Sequence, residues 1–333
     1  MTKRSILLIL AHGILGWGSP AAGRDMRQDY YTGLRPFLER QYGKRDDLAL
    51  TIIAPQVPVS ESVAARGHHL KEAIQTQLRQ MPSDTRVHIL AHSMGGLDGR
   101  WVIAEGGLSD RIDSLTTIAT PHRGTSLGNV AYALRSVIPA VADGLHQVDH
   151  VIQQIEDQVQ DSFKWLTGRK IPLTGDHLET LRHLLGNLVK HTTPAQLERG
   201  LYDLTLEGAR HFNAELAEAE RTIRSGPGRP IAYTAYGGDL SSHSRSLLRP
   251  SSDLIRVFGI KEEKAEGNDG AVSAWSSHFP WDEAGREYVE TLPYDHFGQI
   301  NWRIPDFRPD DELDPALIPV YQGIMDRIVS NRS

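Results

Sequence analysis

A serine hydroxyl is a weak nucleophile near neutral pH. It becomes useful beside a base that a third group holds in place. Ser93 is placed for that chemistry. It sits in Ala91-His92-Ser93-Met94-Gly95-Gly96, directly after the apolar run Val87-His88-Ile89-Leu90. A buried strand therefore runs into a turn of small residues with a serine at its apex. This is the nucleophile-elbow pattern, with Ala91 in place of the first glycine. Small residues flank the serine because larger ones would clash where the strand reverses into a helix. The turn lifts the hydroxyl above the sheet and aims a helix N-terminus at it, where developing negative charge is stabilised.

Partners in such a site follow in the order serine, acid, histidine, each on a loop after a later strand. Asp269, in the turn-forming Gly267-Asn268-Asp269-Gly270, is the leading acid, with Asp239 and Asp253 as rivals on position. Such tetrads also carry plain turn aspartates. His296, in Pro293-Tyr294-Asp295-His296-Phe297-Gly298, is the leading base among fifteen histidines, with His243 and His278 as rivals. Two backbone N–H groups complete an oxyanion hole. One belongs to Met94, the residue after the nucleophile. The other comes from His12-Gly13-Ile14-Leu15-Gly16, with Ile14 as the expected donor. His12 itself is expected to hold this loop by a hydrogen bond rather than to act as base or ligand.

These residues need a scaffold, and the pattern supplies one. Residues 6–11 are continuously apolar and read as a fully buried strand. Residues 48–54, 86–91, 112–119, 229–236 and 287–292 read as further strands, and residues 30–42 and 62–80 as helices. Strands separated by helices of this length imply an α/β architecture with a mostly parallel sheet and right-handed crossovers. From residue 128 to 229 no strand is expected. Val148, Val151, Ile152, Ile155 and Val159 recur at helical spacing, as do Leu178, Leu181, Leu184, Leu185 and Leu188. Amphipathic helices usually face a core, but a helical insertion over the mouth of such a sheet is also where a lid would sit. The expected division is a core in residues 1–127, a helical cap or lid insertion in 128–229, and the rest of the core in 230–333. Residues 241–252 read as a surface loop, and 313–331 as a terminal helix broken by Pro315 and Pro319.

Composition narrows the function. The chain has 333 residues, 39% hydrophobic and 23% charged, enough for a full core. A net charge of −6 with no basic cluster argues against a nucleic-acid partner. With no cysteine, disulfides and thiolate chemistry are excluded. Lys3-Arg4 and the following apolar run look like a short signal peptide. Cleavage there would remove the strand that carries the His12 loop, so that reading is rejected. No run approaches the ~20 apolar residues of a membrane span. The expected location is the cytoplasm, or secretion without a recognisable signal, and no obligate protein partner is evident.

The chain resembles the bacterial true lipases of the Pseudomonas/Burkholderia type, family I, within the α/β-hydrolases. The resemblance rests on five stretches in order: His12-Gly13-Ile14-Leu15-Gly16-Trp17, the elbow His92–Asp98, Ala119-Thr120-Pro121-His122-Arg123-Gly124-Thr125, the Leu-Thr…Gly-Ala…Phe-Asn stretch from Leu204 to Asn213, and Asn268-Asp269-Gly270-Ala271-Val272 with Ser276-Ser277-His278. It implies an α/β-hydrolase fold, a triad of Ser93, Asp269 and His296, and oxyanion donors at Ile14 and Met94. It also implies a carboxylic ester hydrolase acting on acylglycerols, with a helical lid that moves at an oil–water surface. Short-chain carboxylesterase or acyltransferase chemistry on the same triad is the alternative, as is an inactive binding protein on this fold. Relatives commonly bind calcium through an aspartate two residues after the histidine; here that position is Gly298. No metal and no cofactor are expected.

Overall fold

The computed structural model describes residues 3–14, 16, 30–133, 135, 192–241, 246, 248–281, 286–302 and 312–330. Six strands are described: β1 (Arg4–Ala11), β2 (Leu48–Ile53), β3 (Arg86–His92), β4 (Ile112–Ile118), β5 (Ala232–Gly238) and β6 (Arg286–Leu292). They form one sheet in the order β2-β1-β3-β4-β5-β6, and every pairing is parallel. Parallel neighbours need crossovers that cover both faces, so a central strand is buried on both sides. This explains why β1 reads as an unbroken apolar run. Its even residues Ile6, Leu8 and Leu10 enter one core, with Leu34, Phe37 and Leu38 of α1 (Leu34–Tyr42) and with Ile324 and Ile328 of the last helix. Its odd residues Leu7 and Ile9 enter the other core, with Leu70 and Ile74 of α2 (Val63–Leu78) and Val102 and Ile103 of α3 (Gly95–Ala104). Cutting one of these side chains back to alanine costs about 2–5 kcal/mol.

Element ends follow local chemistry. Ser62 caps α2 by accepting the N–H of Ala65. α1 begins at Leu34 rather than residue 30, because Gly33 takes a left-handed turn (φ 70°) immediately before it. β5 begins at Ala232, beyond Pro230, which lacks a ladder donor. Between β4 and β5 lie α4 (Ser126–Ala133), α5 (Pro194–Asp203) and α6 (Leu206–Ser225). The hydrophobic stripes of residues 148–159 and 178–188 lie outside the described residues. α6 packs on α3: Arg100 meets Glu220 at 2.8 Å and Asn213 at 2.8 Å. This helix therefore forms a layer outside α3.

One expectation is corrected. Residues 249–252 are not loop; they open α7 (Arg249–Phe258). Pro250 falls in the first turn of that helix, where its missing N–H has no partner to lose. α8 (Lys261–Ala265) and α9 (Ala274–Ser277) follow before β6. The terminal helix, α10 (Ile318–Ser330), starts after Pro315 and holds Pro319 in its first turn. No helix among the described residues is long and apolar enough to cross a membrane.

Candidate active site

At the end of β3 the chain turns sharply. Ser93 has φ 54°, a left-handed conformation that costs a non-glycine residue about 1–3 kcal/mol. The turn is held by Ser93 N–H donating to Ile118 C=O at 2.9 Å and by Thr120 Oγ1 donating to Ser93 C=O at 2.8 Å. Its tightness explains the glycines. A Cβ on Gly95 would lie 2.5 Å from Ala11 C=O, and one on Gly96 would lie 2.1 Å from Thr120 Oγ1. Ala91 fits in place of the first glycine because it belongs to β3, fully buried and paired with Ala11 and Thr117. Met94 is the N-cap of α3, so its N–H stands at the positive end of that helix beside Ser93.

The loop after β1 comes down on the turn. A Cβ on Gly13 would sit 2.7 Å from Ser93 Cβ and 3.2 Å from Ser93 Oγ. This close approach sets the adjoining Ile14 beside the Ser93 turn. Leu15 and Trp17 lie outside the described residues. His12 anchors the loop as expected: Nδ1 bonds Gly13 C=O at 2.9 Å, and Nε2 accepts Val57 N–H at 3.3 Å. Burial drives its pKa down to about 3, so it stays neutral. Arg66 was not singled out by sequence, yet it is the loop's second anchor. It donates to His12 C=O at 2.8 Å and to Pro58 C=O, and pairs with Asp98 of α3 at 2.8 Å. Both ionic side chains are fully buried.

Asp269, between β5 and β6, meets His296, which follows β6. His296 Nδ1 donates to Asp269 Oδ2 at 2.9 Å, and His296 N–H donates to Asp269 C=O at 2.9 Å. Asp269 is fully buried and His296 nearly so. The rivals are engaged elsewhere: Asp239 accepts from Ser241, Asp253 pairs with Arg249, and His278 faces Glu266. His243 lies outside the described residues. Among the described contacts no hydrogen bond joins Ser93 Oγ to His296. Catalytic hydrogen bonds are often long in the absence of substrate.

The link between the two sides runs through His92, a residue sequence reasoning passed over. Its ring lies 4.5 Å from that of His296, centroid to centroid. His92 Nε2–H donates to His296 C=O at 2.8 Å, which leaves Nδ1 as acceptor for the Tyr30 hydroxyl at 2.7 Å. Burial, and then the nearby His296, hold the His92 pKa well below its usual value. A neutral His92 therefore fixes the backbone of the loop that carries His296. The only local signal was adjacency to Ser93; Tyr30 lies 62 residues away. Among the described residues no cluster of three or more His, Asp or Glu is placed to hold a metal.

The fold has counterparts among solved structures. The mature Bacillus licheniformis lipase BlEst2 superposes with a TM-score of 0.55 at 16% identity, covering 96% of this chain and 92% of that one. The chain has the α/β-hydrolase fold. In sequence, the chain is 24% identical over 303 residues to the triacylglycerol lipase of Pseudomonas fragi, covering 88% of this chain and 87% of that protein. It is 34% identical over 107 residues to triacylglycerol lipase 2 of Saccharomyces cerevisiae, a match that spans only 30% of either chain. The family described as PGAP1-like alpha/beta domain matches residues 59–137, the stretch that contains the elbow.

Proposed function

We propose that the protein hydrolyses carboxylic esters, acylglycerols first among them, through an acyl-enzyme on Ser93. The observation that carries the reading is the His296–Asp269 hydrogen bond beside a serine held at positive φ. Ser93 Oγ attacks the ester carbonyl carbon while His296 Nε2 takes the hydroxyl proton. Asp269 holds the imidazole in the tautomer that leaves Nε2 free, and stabilises the imidazolium. The N–H groups of Ile14 and Met94 receive the oxyanion, a role in which one donor is worth ~2.7–4 kcal/mol. The imidazolium returns its proton to the departing alkoxide. Water then attacks the acyl carbon and gives a proton to His296; the acyl–Oγ bond breaks, the carboxylic acid departs, and His296 passes that proton to Ser93 Oγ. The lipase names of the Pseudomonas fragi and yeast relatives support acylglycerols, and with them a site that works at an oil–water surface.

Ser93→Ala decides the matter. The variant is expected to fold, by circular dichroism, and to lose turnover of p-nitrophenyl esters. A fluorophosphonate should add its mass to the Ser93 peptide of the wild-type chain alone. Unchanged turnover in the alanine variant would end this reading.

A further inference from the structure

The Asp269 carboxylate accepts four hydrogen bonds. Oδ1 takes the backbone N–H groups of Ala271 and Val272 at 2.9 and 2.8 Å. Oδ2 takes His296 Nδ1 and the side-chain amide of Gln299, both at 2.9 Å. The reaction above uses the first of that second pair and has no use for the other.

Gln299 is nonetheless built in. It is fully buried, and its nitrogen faces the carboxylate, because an oxygen there would set two acceptors against each other. That orientation leaves Oε1 buried without a hydrogen-bond partner among the described residues. Buried orphans of this kind are rare and call for an explanation in function or strain. The backbone is pinned by the Tyr321 hydroxyl, which donates to Gln299 C=O at 2.8 Å, and by Gln299 N–H donating to Asp295 C=O at 3.3 Å. The sheet makes room for the contact. A Cβ on Gly238, at the end of β5, would lie 2.3 Å from Gln299 Nε2 and 2.8 Å from Asp269 Cβ.

We propose that Gln299 is a positioning residue: it competes with His296 for Asp269 Oδ2 and so sets how strongly the carboxylate holds the imidazole. The kinetic part of this inference rests on the ester-hydrolase reading. An oxygen shared between two donors is a weaker acceptor for each. Gln299 fixes the orientation of the carboxylate and tempers its pull on the His296 proton. His296 then gives up its proton more readily, which a base must do in every cycle.

Two variants test this. In Gln299→Leu the carboxylate loses a rival donor and stabilises the imidazolium more. The acid limb of kcat/KM should move up by about half a pH unit, and kcat should fall about 10-fold with KM little changed. Gln299→Glu keeps the shape and carries the test should the leucine variant fail to fold. Its two facing carboxylates share a proton, and the protonated Glu donates to Oδ2. Its deficit relative to wild type should therefore shrink as pH falls. A third readout needs no turnover. The low-field proton resonance of His296 Nδ1–H, identified by its loss in His296→Ala, should move downfield in Gln299→Leu. An unmoved resonance, with a deficit independent of pH in both variants, overturns the inference. A resonance that shifts in a chain whose wild type turns over no ester would overturn the hydrolase reading instead, and leave the role of Gln299 standing.

Discussion

The two sides of the site are held by different physics. On the nucleophile side the backbone itself is the constraint. Ser93 sits at φ 54°, and Gly95 and Gly96 touch the neighbouring chain so closely that neither has room for a methyl group. On the acid–base side the backbone also turns at positive φ, at Gly267, Gly270 and Asn301, but Asp269 and His296 are held chiefly through side chains. Asp269, His296, Gln299 and His92 are joined by a chain of hydrogen bonds, each about 2.8–2.9 Å. Steric constraint resists change in volume and ignores pH. A polar network tolerates volume and fails when one donor or acceptor is swapped.

Asp269→Asn should show the largest effect and confine it to rate. The amide oxygen takes the place that Ala271 and Val272 N–H require, which turns the NH2 toward His296 Nδ1. That donor selects the wrong tautomer, with Nε2 already protonated, and kcat should fall about 10⁴-fold. Gln299 can present its orphaned Oε1 to the new NH2, so the thermal midpoint should barely move. A variant that unfolds would show that the network carries stability after all.

Gly96→Ala should do the reverse. One methyl group at 2.1 Å from Thr120 Oγ1 must displace the strand-to-helix turn. Overpacking of this severity costs about 3 kcal/mol, readable as a lower urea midpoint. A variant as stable as wild type would mean that the turn has slack.

Acid should act on the buried imidazoles rather than on the glycine turn. His12, His88, His92 and His122 all lie on or just beyond β1, β3 and β4, and burial lowers each pKa, to about 3 for His12 and about 4 for His88. Their folded values lie below the unfolded one. The stability they carry is thus full above pH 6.5 and drains away as pH falls toward the folded values. Asp98 and Asp203 oppose this, because burial raises both to about 6 and the folded chain binds their protons first. Four rings against two carboxyls leave unfolding taking up protons on balance as pH falls below neutrality, so stability should decline. Urea midpoints at pH 7, 6 and 5 check this. A flat series would mean that the buried rings titrate as if exposed.

Legibility in the sequence divides along the same line. The nucleophile side was readable because its constraint is local. A buried run, then small residues around one serine, already specifies a sharp turn. That Asp269 and His296 pair was readable by order along the chain, which a parallel sheet imposes on the loops at its C-terminal edge. Tyr30, Arg66, His92 and Gln299 were not readable. Their partners lie tens to hundreds of residues away, and a single tyrosine or glutamine in a chain carries no mark of the acceptor it will meet. The start of α7 was misread because residues 241–252, rich in serine and arginine, look like loop, although Pro250 also fits the first turn of a helix.

Arg66 couples two pieces that would otherwise drift independently. Its guanidinium grips the carbonyl of His12 on one side and the carboxylate of Asp98 on the other. His12 belongs to the segment bearing Ile14, and Asp98 to the first turn of the helix that Met94 begins. The two N–H groups assigned to the oxyanion thus ride on one strut. A strut of that kind resists any change in the gap they span.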